Sequence, residues 1–124
     1  MDGRGVVLVA EDDPSVRMLV TRTLTRRGYT VLEAGDGREA FELAERHAGP
    51  IDVLVTDVMM PRMGGKELAA SLSGVRPDTH VLFITGHVDR DGSLPTSPGA
   101  DVLTKPFTAD DLVARIAGIR EQTS

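Results

Sequence analysis

Apolar residues in this chain come in short unbroken blocks, and each block runs into polar side chains at its carboxyl end. Val6-Val7-Leu8-Val9-Ala10 leads into Glu11-Asp12-Asp13, and Ile51-Asp52-Val53-Leu54-Val55-Thr56 leads into Asp57. Val81-Leu82-Phe83-Ile84 ends at Thr85, and Val102-Leu103-Thr104 ends at Lys105-Pro106. A continuous apolar block without polar alternation predicts a strand buried on both faces. Tyr29–Ala34 adds another strand, between the first and second of these blocks.

Helical spacing fills the gaps. Asp13-Pro14 predicts a helix start, with Asp13 as cap, and Val16, Leu19, Val20 and Leu24 form its apolar stripe up to Gly28. Asp36-Gly37-Arg38-Glu39 resembles a capping box and launches a helix over Ala40–His47, closed by Gly49-Pro50. Gly64 or Gly65 opens a helix through Leu68, Ala69 and Leu72, with Gly74 as its expected end. Thr108 is the expected cap of the last helix, whose stripe is Leu112, Val113, Ile116 and Ile119. Strand and helix alternate with short links, which predicts parallel strands joined by right-handed crossovers. One repeat breaks the rule: between Thr85 and Ala100 the chain is rich in Pro and Gly, and its apolar residues Val88 and Leu94 share no helical face. A loop, or one turn near residues 87–91, is expected there.

In an open parallel sheet the carboxyl ends of the strands meet at one crevice, where such folds bind ligands. The carboxylates of Glu11, Asp12 and Asp57, the Thr85 hydroxyl and the Lys105 ammonium are therefore expected together. Magnesium takes oxygen ligands and keeps several waters beside one or two carboxylates. Asp12 and Asp57 supply those carboxylates, and the Met59 carbonyl lies near enough along the turn to join them. Glu11 would act through a metal-bound water or orient Lys105. Manganese is the alternative ion. A positioned carboxylate can accept a phosphoryl group, a reaction in which the protein mainly positions and neutralises. Asp57 is the expected acceptor, with Thr85 donating to a phosphoryl oxygen and Lys105 pairing first with Asp57 and then with the phosphoryl group. A cis Lys105-Pro106 bond suits so tight a turn.

Composition narrows the choice. At 124 residues, 40% hydrophobic and 27% charged, the chain is expected to form a single domain over 1–124. Nineteen acids against fourteen Lys and Arg give a net charge of -5, which argues against sequence-independent nucleic-acid binding. The absence of cysteine excludes thiol chemistry and disulfides and agrees with a cytoplasmic setting. No apolar stretch approaches the roughly 20 residues of a membrane span. With one Tyr, three Phe and no Trp, a flavin would find little to stack on. His47 and His80 have no partners at metal-ligand spacing and are expected to be structural or solvated. His87 is expected on an exposed loop. Met59, Met60 and Met63 offer an adaptable docking surface, with at least one packed on the core.

Four segments in this order and spacing resemble the response-regulator receiver domain of bacterial two-component signalling. They are Val9-Ala10-Glu11-Asp12-Asp13-Pro14, Asp57-Val58-Met59-Met60-Pro61-Arg62-Met63-Gly64-Gly65, Ile84-Thr85-Gly86 and Lys105-Pro106-Phe107. The resemblance covers essentially the whole chain. It implies a flavodoxin-like, doubly wound α/β fold with a five-stranded parallel sheet of order 2-1-3-4-5, here with a degenerate or missing fourth helix. It implies that Asp57 takes phosphate from a histidine kinase or histidine phosphotransfer protein, that magnesium is required, and that Asp12, Asp57 and the Met59 carbonyl hold it. It further implies a domain that is no enzyme beyond assisting its own phosphorylation and dephosphorylation. The sequence departs from the pattern at Glu11, in place of the commoner Asp, and at Val102, where many members carry a switching Tyr or Phe. The short fourth crossover resembles receivers fused to or paired with sensor histidine kinases. Three rival functions are a pseudo-receiver that only binds proteins, a magnesium-dependent phosphatase, and a flavin-binding sheet protein, the last opposed by the missing aromatics and phosphate loop. Intact Asp12, Asp57, Thr85 and Lys105 oppose the first. Met59, where such phosphatases usually place a second acid, opposes the second.

Overall fold

The apolar blocks become the strands of one parallel sheet. A computed structural model of the chain describes residues 5–60, 62–86 and 101–121. The order is β1 (Val6–Ala10), α1 (Pro14–Arg26), β2 (Thr30–Ala34), α2 (Gly37–Arg46), β3 (Val53–Asp57), α3 (Gly65–Val75), β4 (His80–Thr85), β5 (Asp101–Thr104) and α4 (Ala109–Glu121). The strands lie side by side as β2-β1-β3-β4-β5, every pair parallel. This is the expected doubly wound sheet. The loop expected between Thr85 and Ala100, with His87, falls outside the described residues.

Alternation along the central strands explains why these blocks are apolar throughout. Val7, Val9, Val53, Val55, Leu82 and Ile84 join a core with Val20 and Leu24 of α1 and Leu112, Ile116 and Ile119 of α4. Leu8, Ala10 and Leu54 face the other way, onto Ala40 and Ala44 of α2 and Leu68 and Leu72 of α3. A half-solvated strand would need a polar residue at every second position; these strands have two covered faces. Burying each Val, Leu or Ile among them contributes about 1.5–3 kcal/mol.

Caps fix where the helices begin. The Asp13 carboxylate accepts from the Ser15 and Val16 amides with Pro14 at the first turn, as expected. Asp36 accepts from the Glu39 amide, so α2 starts at Gly37, three residues before the position expected from the sequence. Its capping box is modified: the Glu39 carboxylate takes the Gly35 amide, at 2.8 Å. At α4 the box is reciprocal, Thr108 Oγ1 accepting from the Asp111 amide and the Asp111 carboxylate from the Thr108 amide.

Two expectations need correction. Leu19 is 41% exposed, because the sheet surface under α1 is already covered by Val16, Val20 and Leu24. Gly74 does not end α3, which continues to Val75 with Arg76 as its cap. Arg76 precedes Pro77, which disfavours helical backbone before it, and its guanidinium turns back to donate to the Ala44, His47 and Gly49 carbonyls, satisfying the end of α2. Smaller boundary shifts of one or two residues occur at β2 and β3.

Candidate functional site at the carboxyl end of the sheet

The strand order places β1 between β2 and β3, so the chain reverses direction of winding beside β1, and the crevice opens there. Asp57 is the last residue of β3 and is 7% exposed. Glu11 and Asp12 directly follow β1. One oxygen each from Glu11, Asp12 and Asp57 falls within 4.8 Å of the others. Glu11 is fully buried and Asp12 exposed, so the cluster has a closed floor and an open mouth.

Lys105 reaches this cluster from beyond β5. Its Nζ donates to Asp57 Oδ2 at 2.7 Å and lies 3.1 Å from Glu11 Oε1. The Lys105 amide donates to the Thr85 carbonyl at 2.8 Å, which ties the start of this turn to the end of β4. The Lys105-Pro106 peptide is cis, as expected. Thr85 is 1% exposed at the last position of β4, one residue beyond Ile84, the register partner of Asp57. The Met59 amide donates to Asp57 Oδ1 at 3.1 Å, which folds the turn back over the carboxylate. The Met59 side chain is 61% exposed, whereas Met60 and Met63 pack against the α2–α3 core.

Electrostatics at the cluster are unbalanced. Burial pushes the Glu11 carboxyl up to about 7; the Asp13 amide opposes this, the Asp57 charge adds to it, and Lys105 opposes it. Glu11 Oε2 takes the Asp13 amide at 3.0 Å, but its buried Oε1 has no hydrogen-bond partner, only the ion pair with Lys105. Burial works against the Lys105 charge, yet Asp57 and Glu11 outweigh it and hold the ammonium above the usual lysine range. One ammonium thus faces three carboxylates. Hard oxygen donors with an excess of negative charge fit a magnesium-type cation.

All expected site residues within the described part of the chain therefore come to one end of the sheet. Three supporting features were not foreseen. Arg17 donates from Nη1 to the Glu11 carbonyl at 2.8 Å and pairs with Glu33. A Cβ on Gly65 would sit 2.1 Å from the Asp57 carbonyl oxygen, so the start of α3 is pressed directly against the backbone of Asp57. Buried Asp36 pairs with Arg62 of the turn after Asp57. The double glycine hinted at the close approach; nothing local signalled Arg62.

The fold and this acid cluster define a receiver-type signalling domain, and comparison with known proteins agrees. The chain belongs to the response regulator receiver domain family, whose profile matches residues 7–117. It is 36% identical to the sensor kinase CckA of Brucella abortus over 124 residues, 98% of this chain but 13% of that protein. It is 37% identical to the response regulator receiver protein CpdR of the same organism, covering 89% of this chain and 92% of CpdR. The crystal structure of the receiver domain from hybrid histidine kinase CckA superposes with a TM-score of 0.80 at 37% identity, covering 93% of this chain and 98% of that one. The chain is thus a receiver domain of two-component signalling. Among the described residues no helix is long and apolar enough to cross a membrane.

Proposed function

We propose that Asp57 is the phosphoacceptor, that it is loaded from a phosphohistidine of a kinase or phosphotransfer protein, and that residues 1–124 act as one receiver domain in the cytoplasm. The observation that carries this is the meeting of Glu11, Asp12 and Asp57, one oxygen of each within 4.8 Å of the others, with Lys105 bonded to Asp57 and paired with Glu11. An oxygen of the Asp57 carboxylate attacks phosphorus, the O–P bond forms as the donor's N–P bond breaks, and the imidazole leaves with the bonding pair and takes up a proton. Asp12, Asp57 and the Met59 carbonyl would hold magnesium, with Glu11 behind them; when bound, the ion neutralises charge on the phosphoryl oxygens. Lys105 is placed to exchange its Asp57 partner for a phosphoryl oxygen. Thr85, at the adjacent strand end, serves as the hydroxyl that reads the new group. Hydrolysis of the acyl phosphate, assisted by the same residues, resets the domain.

Incubation with a small phosphodonor and magnesium is expected to add one phosphoryl group, seen by intact mass. Asp57→Asn is expected to remain unlabelled. Equal labelling of the two proteins would refute the assignment of Asp57, and no labelling of either would favour a receiver that only binds partners.

A further inference from the structure

Outside the acid cluster, one arrangement joins a buried carboxylate to the turn that follows Asp57. Asp36 is 4% exposed and divides its two oxygens. Oδ1 accepts the Glu39 amide and caps α2, while Oδ2 accepts from both Nε and Nη2 of Arg62. Arg62 holds φ at 66°, in the left-handed region where a side chain other than glycine is uncommon and is kept by its surroundings. Next to Asp36, Gly37 packs so closely on the turn that a Cβ there would lie 2.2 Å from the Met63 carbonyl oxygen.

The turn needs such support. Its start is tied by the Met59 amide to Asp57 and its end by the Gly65 amide to the Val58 carbonyl. Among the described residues, Met60, Arg62 and Met63 enter no backbone–backbone hydrogen bond of this turn. What holds its middle is the packing of Met60 and Met63 on the α2–α3 core and the side chain of Arg62 on Asp36.

We propose that the Asp36–Arg62 pair is a latch that positions the turn carrying the Met59 carbonyl, and so sets how tightly the acidic cluster holds magnesium. This rests on the reading of Asp12, Asp57 and the Met59 carbonyl as the metal site. Arg62 is a positioning residue: its guanidinium is bound to Asp36 and acts on the ion only through the backbone. Partners that orient metal ligands without touching the metal commonly change affinity when removed.

Calorimetric titration with magnesium chloride tests the latch. Arg62→Gly removes the guanidinium while leaving a residue that accepts a positive φ, so melting temperature should stay near that of wild type. Asp36→Asn keeps an oxygen for the Glu39 amide but gives up the charge that holds Arg62. Both variants are expected to bind magnesium about tenfold more weakly. Arg62→Lys should recover part of the loss, and saturating magnesium should return the labelling rate by a small phosphodonor to that of wild type. Affinity equal to wild type in both Arg62→Gly and Asp36→Asn would overturn the latch alone. Wild type binding magnesium no better than Asp12→Asn would overturn the metal site and the latch with it.

Discussion

Asp36 and Asp57 are both buried carboxylates at the carboxyl end of the sheet, and each is paired with a cation, yet they stand in opposite electrical situations. Asp36 faces one guanidinium that grips it with two nitrogens, and a cap amide takes its other oxygen. The Glu39 amide and then Arg62 hold its pKa below the ordinary aspartate value. Asp57 shares one ammonium with Glu11, while Asp12 adds a further charge within 4.8 Å. The first pair is complete in itself. The second group is short of positive charge, and that shortfall suits it to take up a cation rather than to brace the fold.

The sharpest test of this contrast is the cation. Lys105→Ala should slow labelling of Asp57 by a small phosphodonor roughly a hundredfold to a thousandfold, the scale of losing one preorganised charge donor. Arg62→Ala should leave most of the rate intact at saturating magnesium. Stopped-time mass spectra measure both, and equal losses would erase the distinction.

Glu11, the buried floor of the acid cluster, and Asp36 should give opposite pH slopes. Glu11 is raised from 4.5 to about 7, so between those values the folded chain keeps a proton that the unfolded chain has lost. Stability therefore falls as pH rises through this window, by at most about 3 kcal/mol. Urea midpoints at pH 5 and 8 should show the fall in wild type and its absence in Glu11→Gln, and magnesium should reverse it at pH 8. A midpoint that is flat or rising in wild type without metal would contradict the picture.

Each carboxylate is also backed by a glycine with no room for a side chain, Gly37 against Met63 and Gly65 against Asp57. Gly37→Ala and Gly65→Ala should each cost about 1–3 kcal/mol, since the opposing atoms are backbone and must move together. Gly65→Ala should in addition reduce labelling of Asp57, because the displaced atom is that residue's own carbonyl. Denaturant midpoints and labelling rates, measured side by side, separate the two effects.

The smallest effect belongs to Asp36. Its lowered pKa makes a stabilising contribution that is present above 3.8, the unfolded value, and lost as pH falls through the folded one. Asp36→Asn should cost roughly 1–2 kcal/mol at pH 7 and progressively less in strong acid. A cost that does not change with pH would mean that the cap alone, without the charge, is what Asp36 supplies.

The sequence by itself was enough for everything carried by local or periodic signals. Unbroken apolar runs mark strands covered on both sides, Asp13, Asp36 and Thr108 mark helix starts, and polar residues at strand ends mark the crevice. Glu11, Asp12, Asp57, Thr85 and Lys105 were legible for the same reason, since a parallel sheet brings all carboxyl ends together regardless of side-chain detail. What tertiary structure decided depends on partners far apart in the chain. Asp36 and Arg62 are separated by 26 residues and Arg76 and Ala44 by 32, and no short window of sequence contains either pair. The exposure of Leu19 and the complete burial of Glu11 were settled likewise, by which surface a neighbouring element had already covered. Periodicity states which side chains can be buried; only the docking of one element on another determines which of them are.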